Sequence, residues 1–184
     1  VASLVGSEMC IRDSYYASVG GFGDMPDLEV LENPKTNLAS EVISSDGKTL
    51  GKYYFNDNRT PVTFDELPKH LVDALIATED IRFYSHSGID FKRTFGAALK
   101  LGKDGGGSTI TQQLAKLLFT GEGSRDILER LTQKFKEYII AVRLERHYTK
   151  DEIITQYLNL YDFGNNGDGI RSAARIYFGK EPID

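Results

Sequence analysis

From Pro68 onward the apolar side chains of this chain return at three- and four-residue steps, a period that only helices can bury on one side. Leu67, Leu71, Ala74, Leu75 and Thr78 outline a helix over about 68–80, with Pro68 suited to its first turn. A second is expected over about 91–101. A third opens near Thr109, where Thr109 and Gln112 form a Thr-x-x-Gln capping box, and carries Ile110, Leu114, Leu117 and Leu118 on one face. The longest covers about 125–147. Its expected core stripe is Leu128, Leu131, Phe135, Ile139 and Val142, which leaves Glu137 on the opposite side with Arg130, Ala141 and Leu144. Thr149 and Glu152 make a further capping box at the head of a helix reaching about Asn159, and "IRSAARIYF" supplies a short last one. Tyr157, Leu158, Tyr177 and Phe178 are expected to be buried. Ahead of the helices, Asp46-Gly47 separates the β-rich runs "SEVISS" and "KTLGKYYF", a strong hairpin signal. The expected fold class is mainly α, with a small β-hairpin at the N-terminal edge.

Composition narrows the functions open to such a domain. With 184 residues, 40% of them apolar and 27% charged, the chain can build one sizeable core. Its 22 lysines and arginines face 27 acids, and a net charge of −5 argues against nucleic acid as a partner. Cys10 has no partner for a disulfide, and His70, His86 and His147 fall at no metal-ligand spacing. No window holds the ~18 apolar residues of a membrane span, so the chain as written is expected to be soluble. Its first residues fit nothing downstream: "SLVGSEMCIRDS" resembles a translated cloning or sequencing adapter. Residues 1–14 are therefore set apart, and a signal or anchor upstream of Tyr15 is expected to have been lost. Residues 15–63 form an arm that includes the hairpin, and 64–184 form the helical domain.

Three stretches carry residues suited to chemistry. "GGGSTITQQLAK" (105–116) runs a glycine loop into a capped helix start, where free N–H groups and the helix dipole favour an anion. The P-loop spacing fails, which sets nucleotide hydrolysis aside. Gln113 and Lys116 stand on a face away from the leucines, and Lys116 can lean back toward the loop. The same residues serve equally as a loop, a cap and a solvated lysine. In "TEDIRFYSHSG" (78–88), Glu79 and Asp80 sit together at a helix C-terminus, where the dipole disfavours negative charge and one carboxyl can become a proton acceptor. They also suit a solvated pair beside a core Phe83, with His86 and Gly88 shaping the turn. Glu137, on a face that is not fully polar, fits either a cleft or solvent with Lys134 and Lys136. Arg171, Arg175 and Lys180 would add positive potential to such a cleft.

Taken in order, "EDIRFYSHSGID", "GGSTITQQLAK", "QKFKEYIIAVRLE", "KDEIITQYLN" and "RSAARIYFGK" resemble the five motifs of the peptidoglycan glycosyltransferases, glycosyltransferase family 51. This domain forms the N-terminal catalytic half of class A penicillin-binding proteins and also occurs alone. The likeness covers about residues 64–180, and the preceding segment resembles that of Bacteroidetes-type class A proteins. It implies a lysozyme-like helical domain on the outer face of the cytoplasmic membrane, joining lipid II to a growing glycan strand with release of lipid pyrophosphate. Catalytic roles fall on Glu79, the base, and on Glu137, which steers the diphosphate-sugar or a divalent ion. Substrate contacts fall on Asp80, Phe83 and His86 of the first motif and on Ser108, Thr109, Gln112, Gln113 and Lys116 of the second. Arg125 takes the family's nearby arginine position. No cofactor is required, and Mg2+ or another divalent cation is compatible. The implied partners are lipid II, the glycan strand, the membrane through a missing anchor, and other cell-wall synthesis proteins.

Some positions depart from the family pattern. Gln133 stands where an arginine is common, Gly96-Ala97 replaces Arg-Ala with Arg93 one turn earlier, and Leu117 replaces an asparagine. The sequence ends at Asp184 without a transpeptidase motif set, and is expected to be a C-terminally truncated domain. Two other functions fit less of the chain. A lysozyme-like hydrolase would use Glu79 as general acid but has no pyrophosphate to hold, and a catalytically silent glycan- or partner-binding module would not need both glutamates.

Overall fold

The computed structural model describes residues 40–53, 59–94, 107–121 and 126–184. Two antiparallel strands, β1 (Ser40–Ile43) and β2 (Thr49–Tyr53), pair across the Asp46-Gly47 turn, where Gly47 takes a φ of +81°. Five helices are described over their whole length after the hairpin: α1 (Lys69–Glu79), α2 (Ile110–Ala115), α3 (Ile127–His147), α4 (Lys150–Leu160) and α5 (Ile170–Phe178). Residues 91–94 are helical, and the rest of the helix expected there lies outside the described residues, as do the arm before Ser40 and the loop at Gly105 and Gly106. The mainly α class with an N-terminal hairpin is what the chain adopts. Among the described residues no helix is long and apolar enough to cross a membrane.

Both expected capping boxes close. Thr109 Oγ1 accepts from the Gln112 N–H while Gln112 Oε1 accepts from the Thr109 N–H, and Thr149 and Glu152 repeat the pattern at α4. Pro68 occupies the N-cap of α1. After α2 the helix widens into a π turn over Lys116–Thr120, closed by the Gly121 N–H on the Lys116 carbonyl at 3.0 Å. The widened turn breaks the phase set by Ile110 and Leu114. Leu118 and Phe119 pack on the core, but Leu117 points outward, against expectation. Gln133 Nε2 donates to the Thr120 carbonyl at 2.8 Å and ties the end of this turn to α3.

The core gathers Phe83, Ile110, Leu114, Ile140, Leu144, Ile153 and Ile154, all fully buried. On α3 the buried side is the one expected to face away. Ile140, Ala141 and Leu144 are inside, with Glu137 beside them, whereas Leu128, Leu131 and Phe135 are 73%, 53% and 53% exposed. Both faces of this helix carry apolar residues, so periodicity alone could not choose between them. Close approach decides it: the buried Gly88 loop lies directly against the α3 backbone at Ala141, which a bulkier face would not admit.

The C-terminal third also differs from expectation. Tyr157 and Leu158 are buried, but Tyr177 and Phe178 on α5 are exposed. Arg171 and Arg175 fasten the fold rather than charge a cleft. Arg171 donates to the Pro61 carbonyl at 3.0 Å and pairs with Glu66 and Glu181, and Arg175 pairs with Glu181; Lys180 is simply exposed. On the same side the Asn159 amide both donates to the Val62 carbonyl and accepts its N–H, at 2.9 Å each, a strand-like clasp. Together these contacts hold the segment before α1 against α4 and α5.

Gly88 takes a φ of +89°, and a Cβ there would lie 2.8 Å from the Ala141 carbonyl oxygen. Gly88→Ala is expected to destabilise the domain by about 3 kcal/mol, through strain and collision together. Gly51, with nothing within 4 Å of its virtual Cβ, is the control and should tolerate alanine. Thermal unfolding of both variants checks the contrast.

Candidate active site

Glu79 is the last residue of α1, and the side chain of the next residue, Asp80, organises the turn beyond the helix. Asp80 is buried, and its carboxylate lies 3.0 and 3.1 Å from His86 Nε2 and accepts the Ile110 N–H at 3.2 Å. One acid therefore joins the end of α1, the turn after it and the first residue of α2. The Asp80 carbonyl also accepts the Phe83 N–H at 2.8 Å, which starts the tight turn over Phe83–Ser85. Phe83 fills the core beneath Lys150, whose Nζ lies 4.2 Å from the ring centroid and donates to the His86 carbonyl and to Glu145, both at 2.7 Å. Thr111 donates to the same Glu145 oxygen at 2.6 Å. Thr109 Oγ1 donates to the Gly88 carbonyl at 2.6 Å, and Gln112 Nε2 reaches it at 3.4 Å.

These contacts sort the residues that the sequence marked for substrate. Asp80, Phe83, Thr109 and Gln112 have their side chains sealed inside the domain. In this structure the three polar ones find their partners internally, as buried polar groups must, and Phe83 packs in the core. His86 is turned inward onto Asp80, with 8% of its side chain exposed. Four of the five hold the frame, and the fifth, His86, is pinned to it.

Glu79, Ser108, Gln113, Lys116 and Glu137 are arranged differently. Gln113, half-buried on α2, donates from Nε2 to Glu79 Oε2 at 2.9 Å, and its Oε1 accepts the Tyr157 hydroxyl at 3.0 Å. Ser108, just before the cap of α2, receives a bond from Lys134 Nζ at 2.7 Å, and the same ammonium reaches Glu137 Oε2 at 2.6 Å. Two polar chains thus meet on the segment from Ser108 to Gln113, one ending at Glu79 and the other at the buried Glu137. Lys116 is exposed one turn beyond Gln113, where the π turn begins. Arg93 donates to the Glu79 backbone carbonyl. Arg125, Gly96 and Ala97 lie outside the described residues.

Two participants are not marked as such by the sequence. Lys134 reads there as a solvated neighbour of Glu137, although its i,i+3 spacing to that acid is the available signal. Tyr157 reads as a core residue, and its ring is one, but its hydroxyl belongs to the site. Burial raises the pKa of that hydroxyl, with the charges of Tyr161 and Glu79 adding to the effect, so it remains a neutral donor. Among the described residues no group of three or more metal-ligating side chains forms. The arrangement offers a positioned carboxylate, a hydroxyl and two ammonium groups beside a helix start.

A transglycosylase family model matches residues 46–184. Penicillin-binding protein 1F of Bacillus subtilis is 43% identical over 152 residues, covering 80% of this chain and 20% of that protein. Penicillin-binding proteins 1A of Escherichia coli and Pseudomonas aeruginosa are 40% and 38% identical over 161 residues, each covering 85% of this chain and 18% and 19% of theirs. The chain thus spans about a fifth of the length of the curated relatives it matches.

Frame and exposed cation should separate in stability measurements. Asp80→Ala strands the Ile110 N–H and the His86 ring and is expected to cost about 3 kcal/mol. Lys116→Ala should stay within about 0.5 kcal/mol of the parent. Denaturant titration followed by circular dichroism reads both.

Proposed function

The chain belongs to the transglycosylase family, and on that premise we propose that it polymerises lipid II into peptidoglycan glycan strands. Glu79 acts as the general base. It takes the proton of the acceptor's GlcNAc 4-hydroxyl as that oxygen attacks the MurNAc anomeric carbon of the growing strand. The new glycosidic bond forms as the bond from that carbon to the lipid pyrophosphate breaks, so configuration inverts and the proton remains on Glu79. The departing diphosphate takes up negative charge, which Lys116, Lys134, the Ser108 hydroxyl and Arg125 meet. Glu137 keeps Lys134 directed at Ser108 and steers the donor. No step needs a divalent ion.

The observation that carries this reading is the pair of bonds from one short segment. Gln113 reaches Glu79 at 2.9 Å, while Ser108 is joined through Lys134 to Glu137. A proton acceptor and an anion cradle thereby share one helix start, which a transferase releasing pyrophosphate requires and a hydrolase cutting between sugars does not. Both substrates are lipid-linked, so the reaction runs at a membrane surface, and the family likeness assigns it to the outer face of the cytoplasmic membrane, among the other proteins of cell-wall synthesis.

The test supplies lipid II to the whole membrane-anchored protein and follows glycan polymer by gel electrophoresis. Glu79→Gln is expected to lower polymer formation at least about a hundredfold, and Lys116→Met by a similar factor. Undiminished polymer from Glu79→Gln would remove it as the base, and release of short sugars from finished glycan would identify a hydrolase instead.

A further inference from the structure

We propose that Tyr157 is a positioning residue for the Glu79 carboxylate, acting through the side-chain amide of Gln113. The inference rests on the glycosyl-transfer reading of Glu79, but its geometry stands by itself. A carboxamide has one face that donates and one that accepts, and nothing in the amide itself decides which end meets a neighbour. Here the carboxylate of Glu79, which can only accept, takes the Nε2 end, and α4 anchors the other end. The Tyr157 hydroxyl donates to Gln113 Oε1 at 3.0 Å, and the carbonyl end of the amide is thereby occupied. With Oε1 anchored, the amide plane is held while Nε2 donates to Glu79 at 2.9 Å.

Each link suits that task. Tyr157 is buried and packs against the Tyr161 ring at 5.3 Å between centroids, so its hydroxyl is fixed by the core rather than by solvent. The phenol stays protonated because burial disfavours the phenolate. Gln113 and Glu79 are only half-buried, which leaves the carboxylate open to a substrate hydroxyl while one of its oxygens is held. A base must be aimed as well as present, since misplacement of a reacting group costs rate even where its chemistry is intact. Without the tyrosine hydroxyl the amide loses its anchor at Oε1 and is free to rotate, so it holds the carboxylate in one place for less of the time.

The other charged groups around the pair are accounted for. Arg93 bonds the Glu79 carbonyl, and Asp80 is taken up by His86 and the Ile110 N–H. Beyond Gln113, α2 leads to the exposed Lys116; on α3, Lys134 and Glu137 bond each other; on α4, Tyr161 adjoins Tyr157. None of these bonds the side-chain carbonyl of Gln113, which Tyr157 holds.

The experiment is a double-mutant cycle in the whole protein, with kcat and KM for polymer formation measured separately. Tyr157→Phe keeps the ring and its packing, so the melting temperature should change little. Its kcat is expected to fall about tenfold while KM changes little, the sign of a misaimed base rather than of lost binding. In a Gln113→Ala background the same substitution should have no further effect, because the intermediary is gone. An unchanged kcat, or an equal effect in both backgrounds, overturns the proposal. A second readout needs no catalysis: exchange with water of the Gln113 side-chain NH2 protons, identified by their loss in Gln113→Ala, should become fast in Tyr157→Phe. If the parent makes no polymer, the glycosyl-transfer reading fails, and the exchange measurement alone decides whether Tyr157 holds the amide. Equal exchange in parent and variant overturns it.

Discussion

A single buried carboxylate, that of Asp80, is the interaction on which the site is built. A carboxylate removed from water has to be satisfied by donors, and here those donors are the His86 ring and the Ile110 N–H. The bonds leave no freedom in the relative placement of the end of α1, the turn at Phe83 and the beginning of α2. Glu79 precedes Asp80 in the chain, and Gln113 lies one turn after Ile110 on α2. Fixing Asp80 to Ile110 therefore brings Glu79 and Gln113 within hydrogen-bond distance as a geometric consequence. The adjacent acids divide the labour: one is spent on structure so that the other can remain half-open.

The same division runs through the helix start at Thr109. Thr109, Thr111 and Gln112 point inward and are consumed by the Gly88 carbonyl, Glu145 and the capping box, while Ser108, Gln113 and Lys116 lie on the outer side. A run of polar residues with this alternation serves two purposes at once. Inward hydroxyls and amides lock the helix start to the Gly88 loop, and that loop in turn rests on α3 at Ala141. Outward groups then sit on a start that cannot tilt, and polar groups held before substrate arrives have no reorganisation left to do.

Much of this is legible in the residues, and the remainder is hidden for identifiable causes. The two capping boxes, the Asp46-Gly47 turn and the limits of α1 obey local rules, in which a side chain satisfies backbone groups a few residues away. The buried face of α3 cannot be read, because Leu128, Leu131 and Phe135 offer as good a stripe as Ile140, Ala141 and Leu144. The choice depends on a glycine far away in sequence. The outward turn of Leu117 needs knowledge of a π turn, and the fastening role of Arg171 depends on the convergence of Pro61, Glu66 and Glu181 on its guanidinium. The described residues singled out in the motifs do cluster, but their separation into frame and cleft is a tertiary property: Thr109 is fully buried and its neighbour Ser108 only half-buried.

The distribution of charge reflects that separation. Glu137 is buried, yet it keeps a partner because α3 supplies Lys134 one turn earlier, and the ammonium spans from Glu137 to the Ser108 hydroxyl. Burying the acid without the lysine would cost several kcal/mol, so the pair is obligatory wherever Glu137 faces inward. The lysine, unlike the acid, remains partly exposed, with 35% of its side chain accessible. Positive charge therefore reaches the surface at Lys134, while its neutralising partner stays beneath. A helix face that hides its acids and shows its cations presents an anion with attraction at short range, even though the chain as a whole is negative. Net charge governs what the protein repels at a distance, and burial governs which charges a ligand in contact can feel.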